Sequence, residues 1–426
     1  HGLTSFDLDV LLHRMHAAKV TTWSKLGRLQ KSHMPRLKGE GESSFVERQV
    51  TAGRLLCDTY TAASEFLRSQ KNYKLSTLAR VHLDAKRVEM SQPLLIDYLS
   101  TSPETIRTLV ANLMNDSYLT LQLVAKLDVL PLTKQLTELG GNLWSRSLTG
   151  ARAERIEYLL MHKFYDLPKP GDAEQLSYII PDKVKSEFSA GGKKKNKPAF
   201  KGGLVLAPKS GLYQQYTLLL DFNSLYPSLI QEYNVCFTTV ERSRGPAGEW
   251  LESEPPSPNV PRGVLPATIR ELVDRRREVK RRLVTEADES KRKQLDMRQL
   301  AIKLVANSMY GCLGFKNSRF FAMPLAELVT RKGRAALEQA QSIASTLNME
   351  VIYGDTDSIM INTHTNDYSE VRRMGTDLKK QINKKFNELE IDIDGIFRSM
   401  LLLQKKKYAA MVCGSVKPDG TVELSR

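Results

Sequence analysis

Asp355 and Asp357, set in Tyr353-Gly354-Asp355-Thr356-Asp357-Ser358, are two hard oxygen donors separated by a single residue. In extended backbone, residues two apart face the same side, which would point both carboxylates one way and Thr356 the other. Two carboxylates on a rigid β scaffold make half of a Mg²⁺ site. An isolated Asp-x-Asp is equally the mark of an Asp-rich turn, so its company in the chain matters. Upstream, Thr217-Leu218-Leu219-Leu220-Asp221-Phe222 is an apolar run ending in a carboxylate. Beside the Asp pair in one sheet, Asp221 would complete a negative focus of three carboxylates, the donor set that two Mg²⁺ ions need. Alone, it would be a strand-end cap.

Cations of the opposite sign lie between them. Arg276 and Lys280 are four residues apart and share one helix face. Lys303, Asn307 and Tyr310 stand at i, i+4 and i+7, again on one face. Two such helices suit a triphosphate, because Arg grips oxygens bidentately and Lys acts as a point charge. A cationic face is otherwise a solvated one; the alignment of Asn307 and Tyr310 with Lys303 argues for more. The whole chain carries a formal charge of +15, which points to a polyanionic partner, most commonly nucleic acid.

The elements that must position these groups follow from the pattern. At 426 residues the chain is expected to form two or three domains. Residues 1–165 read mainly as helix: Ile106, Leu109, Leu113 and Met114, then Leu121, Val124 and Leu127, recur near helical spacing. Residues 166–203 turn polar, with a basic Gly191-Gly192-Lys193-Lys194-Lys195 loop. Short strands are expected at Leu204–Leu206 and Thr217–Phe222, then a Pro-rich loop over about 241–262. Two basic helices over Ala267–Tyr310 separate near Glu286–Ser290. A helix over Leu325–Leu347 has Pro324 in its first turn. The Asp-x-Asp hairpin follows, then a helix through Val371, Met374, Leu378, Ile382 and Phe386, and strands near Ile391 and Met400–Leu403. That order fits an antiparallel sheet with helices on one face. Four scattered cysteines offer neither a disulfide framework nor a zinc site, so free thiols in a reducing compartment are expected. No run of about eighteen apolar residues is present. The start at His1, without a signal-peptide pattern, reads as part of a larger polypeptide.

These residues resemble a known family. Asp221–Ser228, Lys303-x-x-x-Asn307-Ser308-x-Tyr310-Gly311 and Tyr353–Ser358 are similar, in order and spacing, to the three polymerase motifs of B-family DNA polymerases. The longer strings Asp221–Val240 and Tyr353–Thr363 look most like the catalytic subunits of the family's eukaryotic alpha class. Lys406-Lys407-Tyr408 matches its primer-strand motif, and Phe200-Lys201-Gly202-Gly203 resembles its Tyr-x-Gly-Gly element near the template, with Phe for Tyr. The resemblance implies a multidomain chain of α+β and α/β parts. Its segments would be an exonuclease-like remnant (1–165), a linker and template-side loop (166–203), the first part of an antiparallel-sheet palm (204–266), two finger helices (267–310) and the second part of the palm (311–426), with the thumb absent.

Implied with it is DNA-directed DNA polymerisation by phosphoryl transfer with two Mg²⁺. Asp221 and Asp357 would be the principal metal ligands, Asp355 a weaker or occasional one, and Phe222 a further member of the metal set. Arg276, Lys280 and Lys303 would bind the incoming triphosphate, with Asn307 and Tyr310 on the same face. Lys303 would also be positioned to protonate pyrophosphate. Ser224 and Leu225 would offer backbone amides to phosphate oxygens, and the Tyr226 ring would leave no room for a ribose 2′-hydroxyl. Gly202, Gly203, Lys406 and Tyr408 would meet the primer–template. The alpha class implies a nuclear enzyme that extends RNA–DNA primers beside primase subunits and an accessory B subunit.

Residues 1–165 resemble the later part of the family's ribonuclease-H-like exonuclease domain. Phe6-Asp7 and Asp116 lie where proofreading relatives have metal-binding Asp, but Gly2 and Asn112 depart from the pattern; the domain is expected to be structural. Asp392-Ile393-Asp394-Gly395 fails as a calcium loop, since its Gly arrives too early. Gly191-Gly192-Lys193 lacks the frame of a phosphate loop. The rival readings are a catalytically inactive scaffold that binds nucleic acid, and another class of B-family polymerase.

Overall fold

The computed structural model describes residues 1–3, 7–31, 33–34, 37, 49–67, 70–165, 167, 202–416 and 422–425. Phe6, the Gly191–Lys195 loop and Phe200-Lys201 lie outside the described residues. The chain forms two compact units, one of residues 1–159 with 278–305, the other of 160–277 with 306–426. This division cuts the expected finger segment 267–310 into parts assigned to different units.

In the first unit the expectation of helix holds. The longest helix, Pro103–Lys126, starts with a capping box in which Ser102 and Thr105 exchange side-chain and backbone hydrogen bonds. The expected apolar positions are buried only in part. Leu109, Leu119 and Leu123 are its buried residues, whereas Leu113, Met114 and Leu121 are 55%, 68% and 67% exposed. Leu119 and Leu123 pack on Ala63, Leu75, Leu78 and Ala79 from the Thr59–Phe66 and Leu75–His82 helices. Periodicity gave the helix, but several apolar stripes competed and only packing chose among them.

The second unit is built on a seven-stranded antiparallel sheet. Its strands are β1 (Gly211–Tyr213), β2 (Thr217–Phe222), β3 (Glu350–Asp355), β4 (Ser358–Asn362), β5 (Ile391–Gln404), β6 (Lys407–Val416) and β7 (Val422–Ser425). They run in the order β3-β4-β2-β5-β6-β7, with β1 paired to β5. β2 is central and alternates as expected of a strand covered on both faces. Leu218 and Leu220 turn to the side where Gly375 of the Tyr368–Asn383 helix packs against Leu218 and Ile393. Leu219 turns to the other side, toward a cluster of Ile352, Tyr353, Met360, Phe397, Met400 and Leu402.

Three details differ from expectation. Leu204–Leu206 is not a strand but a single bridge, Val205 to Asp355. The two expected strands near Ile391 and Met400 are one, β5, whose alternation is hidden by register shifts along its pairings. Phe386 falls beyond the helix, which ends at Asn383. The basic helices span Val264–Thr285 and Glu289–Gly314, and the Pro324 helix spans Met323–Thr346. Leu220 is fully buried between β4 and β5. Leu220→Ala is expected to cost about 2–5 kcal/mol, seen as a lower urea midpoint; an unmoved midpoint would contradict this packing.

Candidate active site

Antiparallel pairing decides where the carboxylates meet. Because β4 begins at the hairpin turn and runs antiparallel to β2, the C-terminal end of β2 lies beside that turn. Asp221 pairs with Ser358, and the Phe222 N–H donates to the Asp357 carbonyl at 2.8 Å. Burial, together with the charges of Asp357 and Asp394, pushes the Asp221 carboxyl up to about 7. Burial also raises Asp357, with the Asp355 charge adding to it and Lys406 opposing. Such half-buried like charges cannot all ionise cheaply without a cation.

The expected hairpin is present, and Asp355–Asp357 forms its turn rather than extended backbone. Thr356 takes φ 59°, left-handed backbone that a β-branched residue rarely adopts, as a tight connection between the two strands requires. Its N–H donates to the Leu204 carbonyl at 2.8 Å. A Cβ at Gly203 would lie 2.8 Å from the Thr356 methyl. Gly203 is thus glycine because the turn packs directly on it, and the Gly202-Gly203 element buttresses the aspartates.

Asp355 faces a different partner. Lys406, at a left-handed position between β5 and β6, places Nζ 3.1 Å from Asp355 Oδ2, and this ion pair raises the lysine pKa. The Lys406 N–H donates to the Tyr353 hydroxyl at 2.8 Å. Tyr408 is exposed and its ring tilts against Phe397.

Asn223 and Ser224 lead from β2 into the Leu225–Glu232 helix, with Ser224 left-handed at φ 50°. First-turn amides of a helix lack intrahelical acceptors and favour anions. Leu225 is buried, and Tyr226, one residue on, stacks on Tyr310 with centroids 4.3 Å apart and planes 26° apart. Burial and then the Asp357 charge raise the Tyr226 pKa; burial pushes Tyr310 far up. Both phenols are therefore neutral at physiological pH. Asn307 is exposed and Arg276 half-buried, its guanidinium pKa lowered by that burial. The structure thus gathers Asp221, Phe222, Asp355, Asp357, Ser224, Leu225, Tyr226, Tyr310, Gly202, Gly203 and Lys406 around one end of the sheet. Lys280 and Lys303, both exposed, belong to the other unit.

Among the described residues, no group of three or more His, Cys, Asp or Glu side chains could hold a metal by itself. Magnesium sites on one or two carboxylates, completed by substrate phosphates, need no more than that. The chemistry of the donor set fits such an ion: hard oxygens, held together with a raised Asp221 pKa that a divalent cation would relieve.

In the first unit, Asp7 and Asp116 line one cavity of about 1010 Å³, with Lys74, Arg87 and Glu89. Arg87 grips Asp116 bidentately, Nε to Oδ1 and Nη2 to Oδ2 both at 2.7 Å. The carboxylate expected to bind metal in proofreading relatives is neutralised by a cation of the same chain.

Sequence reasoning missed Asp394, Tyr353 and Arg334. A register shift between Leu219 and Leu220 leaves Asp394 unpaired on β5, where its charge acts on Asp221. No alternation signal could have revealed a bulge.

The model for DNA polymerase family B matches residues 142–424, and that for its exonuclease domain matches residues 1–78. The chain belongs to DNA polymerase family B. It is 46% identical over 442 residues to the DNA polymerase alpha catalytic subunit of Xenopus laevis, covering 99% of this chain and 29% of that one. For the alpha catalytic subunit of Trypanosoma brucei brucei the identity is 44% over 451 residues, covering 99% and 33%. The chain therefore spans about a third of the length of these curated relatives. The solved family B DNA polymerase of the hyperthermophilic archaeon Pyrobaculum calidifontis superposes with a TM-score of 0.67 at 26% identity, over 100% of this chain and 51% of that one.

The Asp221 pKa gives a signed prediction. Its carboxyl moves from 3.8 to about 7 on folding, so the folded state binds more protons between those values. Stability therefore falls as pH rises through that window. With chelator at pH 8, Asp221→Asn should be the more stable protein, with the gap closing toward pH 4. Urea midpoints at the two pH values test this, and a pH-independent gap would contradict it.

Proposed function

We propose that this chain carries the nucleotidyl-transfer centre of a template-directed DNA polymerase that extends RNA–DNA primers during replication initiation. The observation that carries the proposal is the hydrogen bond from the Phe222 N–H to the Asp357 carbonyl, which brings half-buried Asp357 beside Asp221 at the end of β2, with the Asp357 charge reaching Tyr226. Asp221 and Asp357 would hold magnesium, with Phe222 beside them and Asp355 in an auxiliary place. The bound metal would supply Lewis acidity, acidifying the primer 3′-hydroxyl and neutralising phosphate charge.

The chain's own residues supply orientation. The amides at Ser224 and Leu225 would receive phosphate oxygens. The Tyr226 ring, backed by Tyr310, would lie under the sugar and exclude a 2′-hydroxyl. Arg276 would grip the triphosphate; the resemblance implies the same role for Lys280, one turn from Arg276, and for Lys303, on the face with Asn307. Gly202 and Gly203 would face the template side, and Lys406 and Tyr408 the primer strand. The Arg87–Asp116 pair supports a structural role for the first unit, not a second hydrolytic centre. The likeness to alpha catalytic subunits supports a nuclear enzyme working with primase and an accessory subunit. An inactive scaffold would have no need of these carboxylates, all of which are present.

Primer extension by the full-length chain, on an RNA-primed DNA template with Mg²⁺ and deoxynucleotides, tests the reading. Asp357→Asn should lower the rate by about a thousandfold, the several kcal/mol that metal-borne charge stabilisation is worth, while primer–template stays bound. Equal rates for wild type and variant would remove the assignment. Tyr226→Ala should reduce discrimination against ribonucleotides by about tenfold or more; unchanged sugar selection would remove the steric role of the ring.

A further inference from the structure

The Met323–Thr346 helix presents one turn to two elements of the site at once. Gly333 is buried; a Cβ there would lie 3.3 Å from Leu229 Cδ1, 3.6 Å from Leu225 Cδ2 and 3.7 Å from Tyr226 Cε1. The Leu225–Glu232 helix therefore rests on bare backbone at Gly333, with the Tyr226 ring at its edge. Two turns earlier on the same helix, the Ala326 carbonyl accepts from the Tyr310 hydroxyl at 3.5 Å. The same helix thus backs both rings of the stack.

The next residue, Arg334, is half-buried and donates from Nη1 to the Gly202 carbonyl at 2.8 Å. Its charge also acts on the phenols of both Tyr226 and Tyr310. Gly202 continues into Gly203 against Thr356, then into Leu204 and Leu206, which hydrogen-bond to Thr356 and Gly354. One guanidinium thus holds the segment that buttresses the aspartates, and it is carried by the residue next to Gly333, where the helix backs the Tyr226 ring.

Its neighbours go elsewhere. Arg331 pairs with Glu252 and Glu254 and donates to the Ser253 carbonyl, fastening the Pro-rich loop. Lys332 lies over the Tyr233 ring, 5.1 Å from its centroid. Of the three cations in this turn, Arg334 alone faces the site. A planar guanidinium with donors in several directions suits a residue that must serve two partners; a lysine ammonium on a flexible stem does so less well.

We propose that Arg334 is a positioning residue that ties the Gly202–Leu206 segment to the Tyr226–Tyr310 stack, so that sugar selection depends on how that segment is seated. The proposal rests on the polymerase reading above and adds a determinant of its specificity. A charge-assisted hydrogen bond to a backbone carbonyl fixes the segment more firmly than a neutral one. Loss of the guanidinium would release the segment and the ring together.

The test uses the full-length chain with Arg334→Gln, Arg334→Lys and, as a control, Lys332→Gln. Hydrogen exchange is followed without substrate at the amides of residues 202–206 and 223–229. Arg334→Gln should quicken exchange in both segments, Arg334→Lys should restore it in part, and Lys332→Gln should leave both unchanged. In primer extension, the preference for deoxy- over ribonucleotides should fall by about tenfold to a hundredfold in Arg334→Gln, the scale expected of a small misplacement. Faster exchange confined to residues 202–206, with sugar preference unchanged, would overturn the coupling and leave a loop anchor. Absence of extension by the wild type would count against the polymerase reading instead, and the exchange comparison would still decide the coupling.

Discussion

Like charges held together away from water govern this structure. Asp221, at the end of a central strand, and Asp357, in the adjoining hairpin turn, are half-buried, with Asp394 acting on the first and Asp355 on the second. Such a cluster is costly in an isolated protein and persists only where surrounding structure over-determines it. Much of the sheet can be understood as that over-determination. β2 is paired on both sides, its apolar residues fill the cores on both faces, and the hairpin that carries Asp357 is pinned to it through the Phe222 amide.

The carboxylates of the hairpin do different work because they meet different neighbours. Asp357 lies near Asp221, whose carboxyl its charge helps to raise. Asp355 faces Lys406, which occupies it and fastens the β5–β6 turn to the same hairpin. The Tyr353 hydroxyl joins that fastening through the Lys406 amide. The β5–β6 turn and the Asp hairpin are thereby held in one rigid piece, the arrangement that positioning by a few tenths of an ångström demands.

Glycine serves the site by letting backbone come close. Gly203 admits the Thr356 methyl, and Gly333 admits the helix that bears Tyr226. Neither is a reacting group. Each removes a side chain that would push a functional residue out of line, so the geometry of the aspartates and of the tyrosine stack depends on atoms that are missing by design of the sequence.

The sequence alone determined the strands and helices that carry the chemistry: Thr217–Phe222, the Asp hairpin, the paired basic helices and the Pro324 helix. Their signals are local, an apolar run, a turn, a first-turn proline. It also determined the motif residues, since their spacing along single elements does not depend on folding. It did not determine which apolar stripe of the Pro103–Lys126 helix is buried, because several were available and only the neighbours Ala63, Leu75 and Leu78 selected one. Nor did it reveal Asp394 beside Asp221, the partner of Asp355, or the reach of Arg334 to Gly202. Those depend on strand register, a bulge and contacts between residues more than a hundred positions apart in the last case. Long-range juxtaposition leaves no periodic trace in a chain, and only the tertiary structure decides it.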